Sequence, residues 1–337
     1  MIYQLLDRFP GISCAHMDAA GHKTTEYYGL ADQETRTPVD EHTIFPASSM
    51  SKFVTAICLM KLHEERFIDI DAPVNTWLKT WKLLTPDGQE SNATVRALMG
   101  HTAGITDGED GFYGLRRGDP EISLTDILEG RTAYNNRPVR AEKPQGAAFE
   151  YSDAGYCVLQ LLVQDVTGMA FEDAAQAIVF DRLRLNDTFY ATPKNLAHFE
   201  TAKAMATGYD GDGMPIPGRF LPCPDLAGAG LWSTPKEMLT IAQEFVAALG
   251  GRSDFLQEAS ARAMATPAEQ FPWAGLGLFI NSDDTLMTQG WGENGQSMMK
   301  MNCRTGAISV VMTNRNPEMD QSESGIEWLV NRHLILF

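Results

Sequence analysis

The sequence predicts a mixed α/β protein in which both ends of the chain form one sheet domain and the middle forms an inserted helical domain. Strand signals lie near both ends of the chain, and helical segments fill the part between them. Residues 53–60 are almost wholly apolar, which indicates a helix buried on all sides. We therefore expect a sheet domain of residues 1–80 and 205–337 and a helical domain of residues 81–204.

The N-terminal part predicts a hairpin followed by the buried helix. Strand signals in residues 11–31 flank a turn at residues 18–21. The helix covers Met50 to Leu62, and its polar residues gather at its start, where we expect the chemistry.

The remaining elements follow in chain order. Helical segments of the middle part, joined by loops rich in Gly, Pro and Asp, are predicted at 94–99, 124–129, 156–167 and 171–182. The C-terminal part predicts a helix at 234–249, strands at 275–280 and 307–313, and a last helix at 323–334.

Composition excludes several functional classes. The 337 residues include 27 Lys and Arg against 44 Asp and Glu, a net charge of −17. Nucleic acids and anionic membranes attract basic surfaces, so neither is expected as a partner. The apolar run at 53–60 is shorter than the roughly 18 residues that a spanning helix needs. The first residues lack the pattern of a signal peptide, so we expect a cytoplasmic protein, or a periplasmic or extracellular one if such a peptide was removed.

The five cysteines indicate neither a disulfide framework nor a zinc site. Their number is odd and none forms a C-x-x-C pair. We expect buried free thiols, no metal and no cofactor.

The strongest chemical signal is the S-x-x-K pattern formed by Ser49 and Lys52 at the start of the buried helix. Serine needs a neighbouring base to act as a nucleophile, and positions i and i+3 share a helix face. The helix dipole and burial both disfavour a charged lysine, so Lys52 is expected to lose its proton near neutral pH. The backbone N–H of Ser49 is a candidate oxyanion donor.

A second S-x-x-K, Ser233 to Lys236, provides an internal control. Pro235 suits the first position of a helix, and Ser233 or Thr234 suits the cap, so this copy is interpreted as structural. Ser48 is a weaker candidate nucleophile than Ser49, because the residue three positions on is Ser51.

Tyr151 lies just before a predicted helix, where its hydroxyl could face a serine of another segment. Together with Ser49 and Lys52 it makes the chain resemble the serine β-lactamase and penicillin-binding-protein family, and most closely its class C-like esterases. Residues 95–105 (VRALMGHTAGI) resemble the family segment LLxHTSGL, and residues 229–234 (AGLWST) resemble GGLxST. The resemblance implies an antiparallel sheet flanked by helices, with an inserted all-helical domain.

The resemblance also implies roles for the three residues. Ser49 would be the acylated nucleophile, Lys52 its general base and Tyr151 the proton relay to the leaving group. The family usually has Tyr-x-Asn, whereas the third residue here is Asp153. An ionised Asp only accepts hydrogen bonds, so Asp153 should disfavour acidic substrates and could raise the pKa of Lys52.

The third family motif, K-T-G, H-x-G or W-x-G, is matched by residues 290–295 (GWGENG). On this alignment Gly290 takes the cation position, Trp291 the middle and Gly292 the glycine, with the N–H of Glu293 as second oxyanion donor. A shift by one residue would put Trp291 first. Neither alignment supplies a Lys or His, which favours a neutral or cationic substrate over a carboxylate.

These observations predict a serine hydrolase for a small ester or amide, ranked as carboxylesterase, then D-amino-acid peptidase or DD-peptidase, then β-lactamase. The alternative from another class is a ligand-binding module on the same fold with impaired catalysis. The expected partner is a small-molecule ester, amide or peptide. Specificity is expected from loops such as residues 106–119, and the sequence leaves the oligomeric state open.

Overall fold

The computed structural model describes residues 2–108, 111–112, 122–192, 205–221, 223–268, 270–281 and 285–334. Most of the predicted specificity loop at 106–119 lies outside these residues. No helix in the described part of the chain has the length and apolarity needed to cross a membrane.

Both ends of the chain contribute to one antiparallel sheet of seven strands, in the order β3-β2-β1-β10-β9-β8-β7. The predicted N-terminal hairpin is confirmed, because β1 and β2 pair in antiparallel register. Strands β8 and β9 form a second hairpin that the sequence analysis did not predict. The strands of this sheet are β1 (Gly11–Met17), β2 (Lys23–Asp32), β3 (Thr37–Pro38), β7 (Phe279–Ile280), β8 (Thr285–Gly292), β9 (Gly295–Asn302) and β10 (Ile308–Thr313).

A small second sheet leads the chain into the functional region. Its order is β4-β6-β5, formed by Phe45–Ser48, Leu231–Ser233 and Phe189–Tyr190. Strand β5 belongs to the part predicted as a helical domain and pairs with β6 of the predicted sheet domain. The proposed boundaries at 81 and 204 stay a prediction.

The helix Ser51–Glu64 is buried over nearly its whole surface, as the apolar run predicted. Every residue from Ser51 to Leu62 is buried, so this helix lies inside the main hydrophobic core. A polar side chain on it is therefore held rigidly and away from solvent.

The middle of the chain is helical, in agreement with the sequence. Its longest helix, Asp153–Thr167, begins after the cap Ser152, whose hydroxyl accepts from the N–H of Gly155, and ends at Gly168 in the left-handed conformation (φ 70°). Shorter helices are Val95–Met99, Leu124–Leu128, Phe171–Ala175 and Asp181–Leu183, with a 3-10 turn at Val74–Thr76 and a π-helical turn at Gln176–Phe180.

The C-terminal helix differs from the prediction. Gly325, at φ +98°, breaks it into Gln321–Ser324 and Ile326–Leu334. The second piece packs on the face of the sheet opposite to the helix Ser51–Glu64, with Leu329 against Ile12 and Cys14. The remaining helices are Ile2–Leu5, Leu226–Ala229, Pro235–Leu249 and Glu258–Met264.

Candidate active site

Ser49 lies in a tight turn between β4 and the buried helix. The residue before it, Ser48, has a positive φ of 47°, which a non-glycine residue adopts only when its surroundings hold it there. The hydroxyl of Ser51 donates to the Ser48 carbonyl at 2.5 Å and accepts from the backbone N–H of Leu231 at 3.0 Å. Strand β6 therefore fixes the turn that presents Ser49.

Lys52 lies directly behind Ser49, the candidate nucleophile, as the i, i+3 spacing predicted. Its Nζ is 3.2 Å from Ser49 Oγ, 2.5 Å from Asp153 Oδ1 and 3.0 Å from the carbonyl oxygen of Gly228. The side chain is only 2 % exposed. Three acceptors around one amine match the three donors of an ammonium group.

The protonation of Lys52 differs from the expectation of a lysine neutral at pH 7. Burial alone would lower the pKa of Lys52, but the charge of Asp153 and the hydrogen bonds with Asp153 and Tyr151 raise it well above its ordinary value. The concern that Asp153 would raise the pKa of Lys52 is confirmed. In the resting site the buried amine of Lys52 is therefore paired with the partly buried Asp153.

Tyr151 completes the group predicted from the sequence. Its hydroxyl interacts with both Ser49 and Lys52, and Lys52 Nζ lies 4.7 Å from the centre of its ring. Although Tyr151 is 40 % exposed as a residue, desolvation of its hydroxyl raises the pKa of Tyr151, while the charge of Lys52 acts against that rise. The structure thus brings Ser49, Lys52, Tyr151 and Asp153 into one cluster.

His101 packs against this cluster and contacts Tyr151 and Ser152. Its ring stacks on that of Tyr151 with 4.4 Å between the ring centres, and its Nδ1 accepts from the N–H of Ser152 at 3.1 Å. Burial, aided by the charge of Lys52, lowers the pKa of His101 to about 3. A neutral imidazole held in this way orients Tyr151.

Asp153 is held in place by a second, partly buried carboxylate. The carboxylate of Asp107 accepts from the backbone N–H groups of Asp153 and Ala154 at 2.7 and 3.0 Å and from the hydroxyl of Ser152 at 2.7 Å. Asp107 therefore caps the helix that carries Asp153. Burial and the nearby charge of Asp153 raise the pKa of Asp107.

A third carboxyl, Asp225, lies behind the same helix. Its Oδ1 accepts from the hydroxyl of Tyr134 at 2.5 Å and from the thiol of Cys223 at 2.6 Å. Burial, followed by the charge of Asp153, raises the pKa of Asp225 to about 7. Lys52 is thus surrounded by more acidic groups than the sequence had indicated.

The third motif is placed differently from the predicted alignment. Gly290, predicted for the cation position, lies against the nucleophile turn: a Cβ there would be 2.2 Å from the Ala47 carbonyl oxygen and 2.3 Å from Ser297 Oγ. No side chain at this position could reach a substrate. The residues of β8 that line the cleft at Ser49 are Thr288 and Gln289. The third family motif therefore aligns with residues that precede the predicted position at Gly290.

The other predicted residues of this motif lie further along the hairpin. Trp291 is 43 % exposed, and the ideal Cβ of Gly292 would be 2.8 Å from Ser48 Oγ. Glu293 lies in the turn between β8 and β9. The role of its N–H as an oxyanion donor remains a prediction that the cleft-lining residues do not favour.

Replacing Gly290 by alanine should damage the site through the nucleophile turn. The added methyl group meets backbone at Ala47, so Ser49 has to move; we expect at least a tenfold loss of kcat/KM and about 1–3 kcal/mol less stability. Kinetics and urea unfolding measure both effects. Gly292→Ala is the matched control, because its nearest neighbour is the rotatable Ser48 hydroxyl. Equal losses in both variants would contradict this account.

The walls of the cleft are mainly aromatic. The rings of Tyr151 and Phe279 stack with centres 6.2 Å apart, and Phe149 lies 6.3 Å from Phe279. The cleft is lined by Ser49, Lys52, His101, Phe149, Tyr151, Gly275, Gly277, Leu278, Phe279, Thr288 and Gln289. Apart from Lys52, which is paired with Asp153, this lining offers no cation.

Comparison with known families agrees with this geometry. The Beta-lactamase family model matches residues 1–331. The chain belongs to the β-lactamase family.

The curated proteins that are similar to this chain carry different functional names. Esterase EstB of Burkholderia gladioli is 26% identical over 219 residues, which cover 62% of this chain and 54% of EstB. Unguisins hydrolase ungD' of Aspergillus campestris is 28% identical over 243 residues, covering 68% of this chain and 43% of that protein. The chain spans about half or less of the length of these curated relatives.

Solved structures of the β-lactamase fold superpose over nearly the whole chain. The D-amino acid amidase from Ochrobactrum anthropi SV3 has a TM-score of 0.77 and 21% identity and covers 100% of both chains. The octameric penicillin-binding protein homologue from Pyrococcus abyssi has a TM-score of 0.78 and 22% identity, covering 97% of this chain and 75% of its own. These likenesses establish the fold.

Sequence reasoning missed several contributors to this β-lactamase-family site. Asp107, Asp225 and the carbonyl of Gly228 reach Lys52 or Asp153 only through tertiary contacts, and no local pattern marks them. Gln289 was passed over because the glycines beside it dominated the motif. The second S-x-x-K is structural as expected: Thr234 caps the helix Pro235–Leu249 by accepting from the N–H of Glu237.

Proposed function

We propose that this protein is a serine hydrolase that cleaves a small, uncharged ester through an acyl-enzyme on Ser49. The observation that carries the proposal is the contact of Lys52 Nζ with Ser49 Oγ at 3.2 Å, with the Tyr151 hydroxyl beside both. A nucleophile, a base and a proton relay within contact distance are what acyl transfer requires. The names of esterase EstB and of the acyltransferase-active hydrolase EstCE1 support the same chemistry.

The proposed reaction begins when Ser49 Oγ attacks the acyl carbonyl carbon. The Ser49 proton passes to Lys52 in its free-base form and reaches the leaving alkoxide through the Tyr151 hydroxyl as the ester C–O bond breaks. Water then attacks the acyl-enzyme, giving the acid and restoring the Ser49 hydroxyl. The proposed oxyanion donors are the backbone N–H of Ser49 and a backbone N–H of strand β8.

The cleft lining supports an uncharged acyl group. Phe149, Phe279 and Leu278 supply an apolar wall, and Thr288, on the same face of β8 as Gly290, offers a neutral hydroxyl. A substrate carboxylate would meet Asp153 and find no unpaired cation among the described residues of the cleft. This combination favours a neutral ester over a β-lactam or a peptide with a free C-terminus.

An amide of a D-amino acid is the second candidate. Its positive amino group would be attracted by Asp153, and a D-amino acid amidase is among the structures that share the fold. Amides need stronger protonation of the leaving group than esters, so the Tyr151 relay would be more important for this reaction.

Parallel rates with four substrates test the proposal. We expect turnover of p-nitrophenyl acetate and butyrate, slower hydrolysis of D-phenylalanine amide, and little hydrolysis of a cephalosporin. Intact-mass spectrometry after a fluorophosphonate should show a single adduct. Faster turnover of the amide would support the second candidate. The absence of both an adduct and turnover would overturn the proposal in favour of a binding module.

A further inference from the structure

A buried cluster of metal-ligating side chains lies on the sheet face opposite to Ser49. Side chains alternate along a strand, so Cys14 and His16 of β1 point to the same face. Glu26 of β2 is the direct cross-strand partner of Cys14. A thiol, an imidazole and a carboxylate oxygen thereby come within 4.8 Å of one another.

His16 supplies an independent observation that points to a ligand at this cluster. The residue is 3 % exposed and its Nδ1 is bonded to Ser309 Oγ at 2.9 Å. Its Nε2 is buried without a hydrogen-bond partner in the described part of the chain and lies 3.8 Å from Glu26 Oε2. A buried unsatisfied ring nitrogen is costly, and coordination would satisfy it.

We propose that Cys14, His16 and Glu26 form a zinc site. Zinc favours this mixture of sulfur, nitrogen and oxygen donors, and bonds of about 2.0–2.3 Å in a tetrahedron hold ligand atoms roughly 3.3–3.7 Å apart. Small side-chain rotations close the remaining gap. Ser309 orients His16, as the partners of metal-bound histidines do.

The C-terminal helix covers the site. The ring of His333 stacks on that of His16 at 3.5 Å, and the guanidinium of Arg332 contacts Glu26. Arg332 competes with a metal for the same carboxylate oxygen. Zinc would tie β1 to β2 beneath this helix, and because it binds the folded chain it would stabilise the protein rather than take part in the hydrolysis.

Cobalt and zinc titrations of the reduced, chelator-treated full chain without a histidine tag test the site. We expect one equivalent of Co²⁺ with a thiolate-to-cobalt absorption band that Zn²⁺ displaces, and a rise of Tm with zinc. Cys14→Ser should abolish the band, whereas Cys303→Ser, at an exposed thiol, should keep it.

Two further variants keep the test decisive if Cys14→Ser does not fold. Glu26→Gln should weaken zinc binding at least about tenfold. Arg332→Ala should strengthen it, because the competing guanidinium is gone; circular dichroism checks the folding of each variant. Absence of binding by the wild-type chain, or a band that persists without Cys14, would overturn the proposal.

Discussion

Ser49→Ala is expected to lower kcat/KM for p-nitrophenyl butyrate by a factor on the order of 10³ or more. Loss of the nucleophile removes the covalent route, and the other groups of the site cannot replace it because they act through Ser49. Lys52→Ala should cost a comparable factor, since Lys52 lies 3.2 Å from the Ser49 hydroxyl. Steady-state kinetics and the mass of the fluorophosphonate adduct measure the effect.

The second S-x-x-K of the chain supplies the matched control for these variants. Lys236 is exposed and pairs with Glu41 across 3.4 Å, so Lys236→Ala should change activity and stability little. Full activity in Ser49→Ala, or an adduct that remains on it, would refute the assignment of the nucleophile.

Asp153→Asn is expected to raise kcat/KM at neutral pH and to move the pH profile to lower pH. The carboxylate of Asp153 keeps Lys52 protonated, and a protonated lysine cannot accept the Ser49 proton. Removing that charge leaves burial as the main influence, which lowers the pKa of Lys52. Each unit by which this pKa falls gives about ten times more free base at a pH below it.

The sign of the pH dependence follows from the same pair. In the wild type the free base becomes more abundant as pH rises towards the raised pKa of Lys52, so activity should increase into the alkaline range. In Asp153→Asn the rise should come at lower pH, with a gain of at least about tenfold at pH 7. Rates between pH 6 and about 10 measure both profiles.

Asp225→Asn is the graded control for charge near Lys52. Asp225 influences Lys52 electrostatically but its described hydrogen bonds go to Tyr134 and Cys223, so its removal should shift the profile less. An inactive but folded Asp153→Asn protein would show instead that the carboxylate itself is needed for proton transfer.

The sequence alone was sufficient where the chemistry depends on local spacing. Ser49 lies in the turn that leads into the helix of Lys52, and the N–H of Lys52 donates to the Ser49 carbonyl at 3.1 Å, so their contact follows from the i, i+3 spacing once the apolar run fixes the helix. The N-terminal hairpin likewise followed from a turn between two strand-forming segments. These features are local because neighbours in the chain determine them.

Predictions failed where distant segments decide the outcome. The neutral Lys52 expected from burial was wrong because Asp153, 101 residues away, lies 2.5 Å from its amine. The cation position assigned to Gly290 was wrong because β8 packs against Ala47, which leaves no room for a side chain there.

The sequence by itself therefore predicted a mixed α/β fold and the contact of Ser49 with Lys52, through periodicity and spacing along the chain, and the family resemblance supplied their proposed roles as nucleophile and base. The tertiary structure decided the protonation of that lysine, the residues of β8 that line the cleft, and the meeting of Cys14, His16 and Glu26. Electrostatic and packing energies depend on distances in space, and strand register and helix packing set those distances between residues that the sequence keeps far apart.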